Sequence, residues 1–365
     1  MVNLPDAGSY DIRIGSALLE GFGAQLRSFN HAPDALVISD SNVARHYLKK
    51  MKESLLSGEY RVTEIILPAG EASKSLDCVR EIWEAMAAAK LGRDCLVVAL
   101  GGGVVGDIAG FVASTYMRGV ELVQVPTSLL AMVDSSVGGK TGINLAAGKN
   151  LVGSFKQPAY VCASVDVLAT LPGPEWACGL AEVAKSAVID SDDFFFWLSE
   201  VAPLLANRDI ACAAEAITRS VVFKANVVSL DVEERKGIRE CLNYGHSLGH
   251  AIEACAGFGR FSHGQAVAEG MRFAARLGVA LVDTPLDFVA AQDELLDALG
   301  LPGLQWSAPP LEILEAMQRD KKKRAGALRF VLPRDVGSWE VLEVDTDTLL
   351  EHLGAWHTSK EGGAQ

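Results

Sequence analysis

From Ala35 to Val165, short β-branched apolar runs recur along the chain: ALVIS before Asp40, VTEIIL after Arg61, CLVVAL from Cys95, ELVQV from Glu121 and YVCASV from Tyr160. Helical periodicity fills the gaps between them, as in VREIWEAMAAAKLG. Strand, helix, strand in this rhythm is the signature of an α/β fold with a doubly wound parallel sheet. Beyond Thr170 the texture changes. LPGPEWACGLAEVAKSAVI and ACAAEAITRSVVFKANVVSL are Ala-rich, with apolar residues three and four apart, which predicts a mostly helical second half. The Pro/Gly cluster from Leu171 to Pro174 marks the boundary, giving domains over residues 1–170 and 171–365. A chain of 365 residues, 49% hydrophobic and 22% charged, suits two domains with large cores. ALRFVLP and WEVLEV predict a small β element near residues 327–345, followed by a closing helix and a polar tail.

Charge and cysteine usage narrow the partners. With 33 basic and 46 acidic side chains the net charge is −13, which argues against nucleic acid and anionic membrane unless positive charge is locally concentrated. The seven cysteines are scattered and contain no C-x-x-C, so they read as free thiols in a reducing compartment, the cytoplasm. The first residues lack a signal-peptide pattern, and no run reaches the 18 or so apolar residues of a membrane span.

Two motifs and a set of cations carry the chemistry. GGGVVGD, Gly101 to Asp107, follows an apolar strand and opens a helix, and Gly101, Gly103 and Gly106 meet the G-x-G-x-x-G spacing that lets a backbone approach a pyrophosphate. At least two strand-like runs precede it, so it is not the usual dinucleotide fingerprint; the better ribose partner is Asp40, at the carboxyl end of the first clear strand, or else Asp40 caps the next helix. DSSVGGKT, Asp134 to Thr141, approaches a P-loop but has Asp134 where the first glycine belongs, which argues against nucleoside triphosphate.

In the second half, NYGHSLGHAIE and SHGQAV concentrate histidines. His246 and His250, four apart on a helix, are rotated by about 40° and separated by roughly 6 Å, so they could share a metal or be two polar residues meeting solvent. Arg239, Asn243, Glu253 and His263 crowd the same neighbourhood. Lys140 and Lys149 sit beside glycines in a loop-rich stretch, Lys185 follows Glu182 by a helical turn, and Lys224, Arg239 and Lys321 to Lys323 lie in the acidic second half. Converging, they make a basic pocket for a small polyanion; dispersed, they are solvated surface lysines.

Across PAGEASKS, GGGVVGDIAGFVASTYMRG, QVPTSLLAMVDSSVGGKTGINLAAGKNLVGSFKQP, GLAEVAKSAVI, RECLNYGHSLGHAIE, HGQAVAEGM and DKKKRAGALRFVL, the chain resembles the 3-dehydroquinate synthases of the sugar phosphate cyclase family, from roughly residue 35 to 335. The resemblance implies a Rossmann-like NAD-binding domain followed by a mostly helical metal- and substrate-binding domain. It implies that Glu182, His246 and His263 hold a divalent metal, Zn2+ or Co2+, while His250 contacts substrate and helps move protons. Asp134, Lys140, Asn150, Lys185, Lys224, Arg239 and Asn243 then correspond to substrate positions. Arg118 would reach the phosphate site of a neighbouring subunit, implying a homodimer, and Lys321 or Lys322 would meet the substrate carboxylate. For NAD the implied contacts are Asp40, Glu71, Ala72, Ser73, Lys74, Gly103, Val104, Val105, Gly106, Asp107, Thr127, Ser128, Lys140, Lys149, Leu168, Ala169 and Thr170. Ser128 stands where the family commonly has threonine and keeps the hydroxyl.

The implied reaction converts 3-deoxy-D-arabino-heptulosonate 7-phosphate, a small phosphorylated sugar acid, to 3-dehydroquinate and phosphate. It runs through transient oxidation by NAD, phosphate elimination, re-reduction, ring opening and intramolecular aldol closure. Retention of Asn243, His250 and the Asp-Lys-Lys segment favours this over sibling cyclases acting on sedoheptulose 7-phosphate or making 2-deoxy-scyllo-inosose. A metal-dependent polyol dehydrogenase would instead accumulate NADH, and a non-catalytic NAD-binding regulator would need neither metal nor anion contacts.

Overall fold

The computed structural model describes residues 2–4, 8–257, 259–321 and 328–361. Two compact units divide the chain: Met1–Pro172 with Lys224–Glu233, and Gly173–Phe223 with Glu234–Gln365.

The first unit is built on β1 (Val2–Leu4), β2 (Gly8–Gly15), β3 (Asp34–Asp40), β4 (Arg61–Leu67), β5 (Leu96–Gly101), β6 (Glu121–Pro126), β7 (Lys140–Leu145), β8 (Gly148–Phe155) and β9 (Tyr160–Ser164). Its sheet runs in the order β1-β2-β9-β6-β5-β3-β4, all neighbours parallel except the β1–β2 edge pair, so six strands form the Rossmann-like parallel sheet. Helices α1 (Phe22–Arg27), α2 (Ser41–Ser57), α3 (Leu76–Ala88) and α4 (Gly103–Thr115) fall between the strands. Every residue of β5 and β9 is buried, which is why these strands read as unbroken apolar runs rather than alternating ones. The edge strand β4 is covered less and keeps polar positions.

Sequence and structure part company at two places in this unit. The stretch read as loop-rich around Lys140 and Lys149 forms the antiparallel hairpin β7–β8, with a register shift between Ile143 and Leu145. Glycine, lysine and asparagine are poor strand formers by propensity, and packing on α4 overrides it. The shift falls at Asn144, a β-bulge. The near P-loop also resolves: Asp134 lies in the π-helical turn Ala131–Ser135, and Thr141 lies in a strand, so no helix follows the glycines. In addition, the unit takes back Lys224–Glu233, where Val228 is buried with Val2, Tyr10 and Val161. A division at residue 170 read from texture alone omits that return, because a helix end and the few residues after it carry no local mark of the unit they pack into.

The second unit contains α5 (Gly173–Asp190), α6 (Asp192–Ala206), the first part of α7 (Ile210–Leu230), α8 (His246–Ala256), α9 (His263–Leu281), α10 (Leu286–Ala298), α11 (Pro310–Lys321) and α12 (Thr346–Glu361). The strands β10 (Leu328–Asp335) and β11 (Ser338–Val344) pair antiparallel where a small β element was expected. Ser262 and Gln265 form a capping box that starts α9 at His263. Among the described residues, no helix is long and apolar enough to cross a membrane.

A buried carboxylate ties the closing helix to this unit. Glu269 of α9 accepts from Trp356 Nε1 (2.7 Å) and from the Leu304 N–H (2.8 Å), and pairs with Lys360 Nζ at 2.6 Å. Glu269→Ala would strand the indole and amide donors in the interior, so we expect it to cost roughly 3 kcal/mol and lower the thermal midpoint by several degrees, read by circular dichroism.

Candidate functional site

In the second unit three helices deliver side chains to one point. α5 carries Glu182 and Lys185 one turn apart, both buried, with Lys185 Nζ paired to Glu182 Oε2. His246 opens α8 and His263 opens α9, and each presents Nε2 at 3.5 Å from Glu182 Oε1. Their approach depends on glycines. A Cβ on Gly245 would lie 2.7 Å from the Val267 carbonyl oxygen, so only glycine lets α8 start against α9. A Cβ on Gly264 would lie 2.4 Å from Cys178 Cα, so α9 also begins in contact with α5.

The outer nitrogen of each ring is anchored. His246 Nδ1 lies 3.0 Å from the Tyr244 carbonyl, and a carbonyl only accepts, so Nδ1 carries the proton and Nε2 keeps its lone pair. His263 Nδ1 faces Glu253 Oε2 at 3.3 Å. Both Glu182 oxygens are buried and neither has an aligned hydrogen bond. Such an orphaned carboxylate in native packing calls for an explanation, and a cation supplies one. The ligand atoms of Glu182, His246 and His263 lie within 4.8 Å of one another. Tetrahedral bonds of about 2.1 Å to zinc separate ligands by roughly 3.4 Å, close to the spacing seen here. The donor set therefore fits a divalent metal.

Electrostatics divides the two imidazoles. Burial works against the Glu182 carboxylate, but Lys185, His246 and His263 outweigh it and hold its pKa well below the ordinary value. Burial holds His246 down, in the neutral form a metal requires. Burial also opposes charge on His263, yet the carboxylates of Glu182 and Glu253 beside it push its pKa up to about 9.

His250 is exposed, its ring 5.4 Å from that of His246 and 6.1 Å from that of His263. His246 and His250 do share a helix face, but they fall in different groups of candidate ligands: His246 with Glu182 and His263, and His250 with Glu253 and His263. Arg239 is buried and Asn243 exposed, both in the 3-10 turn Ile238–Asn243 just before α8. Lys322 lies outside the described residues, and Lys321 ends α11.

In the first unit the expected cofactor contacts gather by topology. Asp40, Leu67, Gly101, Pro126 and Ser164 end β3, β4, β5, β6 and β9, with Asp40 level with Leu67 and Gly101 with Pro126. Glu71, Ala72, Ser73 and Lys74 follow β4. Gly103 to Asp107 follow β5, Thr127 and Ser128 follow β6, and Leu168, Ala169 and Thr170 follow β9. All therefore leave the carboxyl edge of one parallel sheet. The chain moves outward from β3 to β4 and returns to β5 on the other side of β3, so Asp40 and the glycine turn flank the topological switch point, where open sheets bind ligands. Helix α4 starts at Gly103 with no side-chain cap, leaving its first N–H groups for an anion.

Asp40 does cap α2, but through one oxygen: Oδ1 accepts from Asn42 N (2.7 Å) and Val43 N (3.1 Å). That leaves Oδ2 for a ribose hydroxyl, so the two sequence alternatives are compatible. Lys74 is buried, with Nζ 2.6 Å from Asp107 Oδ2 and bonded to Asn150 Oδ1. Burial raises the Asp107 pKa against the opposing charge of Lys74. Lys224 donates to the Asp134 carbonyl and to Oδ1, each at 2.7 Å. Lys140 and Lys149 are exposed on the hairpin. Arg118 follows Met117 in a turn where both have positive φ, 46° and 67°.

Two side chains that the candidate set omitted emerge here. Tyr47 donates to the Val167 carbonyl (3.0 Å) and its hydroxyl lies 2.7 Å from Thr170 Oγ1, bracing the turn after β9; nothing local in SNVARHY signals this. Glu253 orients His263, and its place three residues after His250 in GHAIE, one helical turn on, was the available clue.

Comparison with known proteins finds two matching family models. Residues 64–178 match the 3-dehydroquinate synthase N-terminal family and residues 179–323 the 3-dehydroquinate synthase C-terminal family. The chain is 46% identical over 361 residues to the 3-dehydroquinate synthase of Xanthomonas oryzae pv. oryzae, covering 96% of this chain and 97% of that one. Among solved structures, a 2-deoxy-scyllo-inosose synthase complexed with carbaglucose-6-phosphate, NAD+ and Co2+ superposes with a TM-score of 0.85 at 28% identity, over 94% of this chain and 96% of that one. The 2-epi-5-epi-valiolone synthase of Streptomyces hygroscopicus subsp. jinggangensis 5008, with NAD+ and Zn2+ bound, gives 0.87 at 25% identity over 99% of both.

The raised pKa of His263 sets the sign of a pH effect. A metal needs the neutral ring, and below about pH 9 a proton must leave first. Affinity for Zn2+ should therefore rise about tenfold per pH unit between about pH 6 and 8 and level off near 9, in competition with a chelator of known affinity. A flat profile would mean that His263 either binds no metal or carries no proton in this range.

Proposed function

The chain belongs to the 3-dehydroquinate synthase family, and we propose that it converts 3-deoxy-D-arabino-heptulosonate 7-phosphate to 3-dehydroquinate and inorganic phosphate. It is an enzyme, a lyase by the chemistry of that family. The observation that carries the reading is the convergence of His246 and His263 Nε2 on one buried oxygen of Glu182, in a chain whose sheet brings Asp40 and the glycine turn to its switch point.

Glu182, His246 and His263 would hold the divalent ion, zinc or cobalt, as in the two neighbouring structures. Asp40, the turn from Glu71 to Lys74, the start of α4, Thr127, Ser128, Lys140, Lys149 and the turn from Leu168 to Thr170 would hold NAD. When bound, the ion supplies Lewis acidity at a substrate hydroxyl and NAD a reversible hydride acceptor, which together make the neighbouring C–H acidic enough for elimination.

The chain's own side chains do the rest. Lys140, Lys185, Lys224 and Arg239 would stabilise charge on the departing phosphate, an electrostatic task that needs fixed cations rather than a base, and Asn150 and Asn243 would hydrogen-bond the substrate. Asp134 keeps Lys224 in place through two hydrogen bonds. His250, exposed beside the histidine cluster, is available to pass a proton between its imidazole and a substrate hydroxyl. Lys321 or Lys322 meets the substrate carboxylate. Backbone strain at Met117 and Arg118 is the kind that persists where a side chain must be aimed, and we assign Arg118 to the phosphate site of a second copy in a homodimer. Seven free cysteines suit a reducing cytoplasm.

Metal-loaded protein given a catalytic amount of NAD and the heptulosonate phosphate should release phosphate and form the carbocycle one for one, with no lasting absorbance of NADH. Stoichiometric NADH would point to a dehydrogenase, and phosphate release from sedoheptulose 7-phosphate alone to a sibling cyclase. Lys140→Ala and His263→Ala should each lower phosphate release by at least about a hundredfold with circular dichroism unchanged. Undiminished turnover in either variant would overturn its assignment.

A further inference from the structure

The bulge of the β7–β8 hairpin places Asn144 where three segments meet. Its N–H, displaced from the hairpin ladder, donates to the Lys74 carbonyl at 2.8 Å. Its side chain bridges outward on both sides: Nδ2 donates to Glu71 Oε1 at 2.8 Å, and Oδ1 accepts from the Asn150 N–H at 2.8 Å. The backbone N–H of Asn150 can only donate, so it fixes which way the amide faces and leaves Nδ2 for the Glu71 carboxylate. Asn150 is held at φ 54°, in the left-handed region, and its own Oδ1 bonds Lys74 Nζ. Lys74 in turn sits on Asp107 in the first turns of α4.

These contacts close a ring: Asn144 to Glu71, along the 3-10 turn to Lys74, across to Asn150, and back to Asn144. On the functional reading above, Glu71 and Lys74 face the cofactor and Asn150 faces the substrate, and neither sequence motif nor resemblance gave Asn144 a part. Bulges of this kind re-aim a side chain out of a ladder beside functional sites, and a residue with both hydrogen-bonding ends committed can set the relative position of two loops.

We propose that Asn144 is a positioning residue that locks the cofactor-facing turn Glu71–Lys74 to the substrate-facing Asn150, so that binding at either place depends on one shared amide. The proposal rests on the assignment of those two segments to NAD and substrate. It predicts that only a group able to donate towards Glu71 and accept from Asn150 serves at this position.

Swapping the polarity of the pair tests it. Asn144→Asp keeps the acceptor for Asn150 but sets a second acceptor against the Glu71 carboxylate. Glu71→Gln restores a donor across the gap. In metal-loaded protein the dissociation constant for NAD, by calorimetry, and KM for the heptulosonate phosphate at saturating NAD are measured across the four-member cycle. We expect Asn144→Asp to raise both by about tenfold or more in the parent background and by less than about threefold in the Glu71→Gln background. Thermal midpoints should not follow that pattern. Asn144→Ala, which loses both side-chain bonds and keeps the backbone one, should also raise both constants about tenfold, and it decides the matter if Asn144→Asp fails to fold. Equal effects of Asn144→Asp in the two backgrounds, or a loss of thermal stability with both constants unchanged, would overturn the proposal. A parent that binds NAD but releases no phosphate would sink the substrate reading instead, and the NAD measurements would still decide the role of Asn144.

Discussion

A carboxylate kept from water is the constraint around which the second unit is arranged. Glu182 has both oxygens buried without an aligned hydrogen bond, and an isolated anion in that position would be far too costly to keep. Lys185 offsets part of the charge from the same helix, one turn on. Burial keeps His246 neutral, whereas the neighbouring carboxylates favour a proton on His263, which a bound metal would displace. A divalent ion there would be held by Glu182, His246 and His263, which close packing brings together. Gly245 and Gly264 let α8 and α9 begin in contact with their neighbours, and the Ser262–Gln265 box holds the first turn of α9 in place.

The first unit solves a different problem by different means. Its expected cofactor contacts are spread over five loops that have little in common except their exit from the carboxyl edge of one parallel sheet. Because parallel strands need crossovers, each loop after a strand returns to the same edge, and residues from Asp40 to Thr170 share a neighbourhood although, apart from the glycine turn, little in the local sequence marks it. Buried ion pairs then fix the details: Lys74 on Asp107, and Lys224 on Asp134. Lys224 reaches this unit because the end of α7 belongs to it.

Legibility followed the range of each interaction. The strands β3, β5, β6 and β9 coincide with the apolar runs, since burial on both faces writes itself into consecutive residues, and the half-covered edge strand β4 is marked by its β-branched residues. The β7–β8 hairpin was missed because its residues are poor strand formers, held by packing on α4 and by the bonds of a bulge. The cations of the two halves looked like one scattered set; two of them, Lys185 and Lys224, prove to be buried and committed to specific carboxylates. The spacing of His246 and His250 did predict a shared face, yet spacing says nothing about which ring nitrogen is anchored, and the Tyr244 carbonyl decides that for His246.

The sequence by itself determined which chemical groups are available, the parallel sheet that collects the loops, and the helical character of the second half, because these depend on residue type and on periodicities of two and 3.6 residues. Only the tertiary structure decided that His246 and His263, rather than His246 and His250, turn their free nitrogens to Glu182, and that Asn144 joins Glu71 to Asn150. Those choices depend on how closely two helices approach and where a ladder slips by one residue. Both are set by packing between segments far apart in the chain, and neither has a local signature.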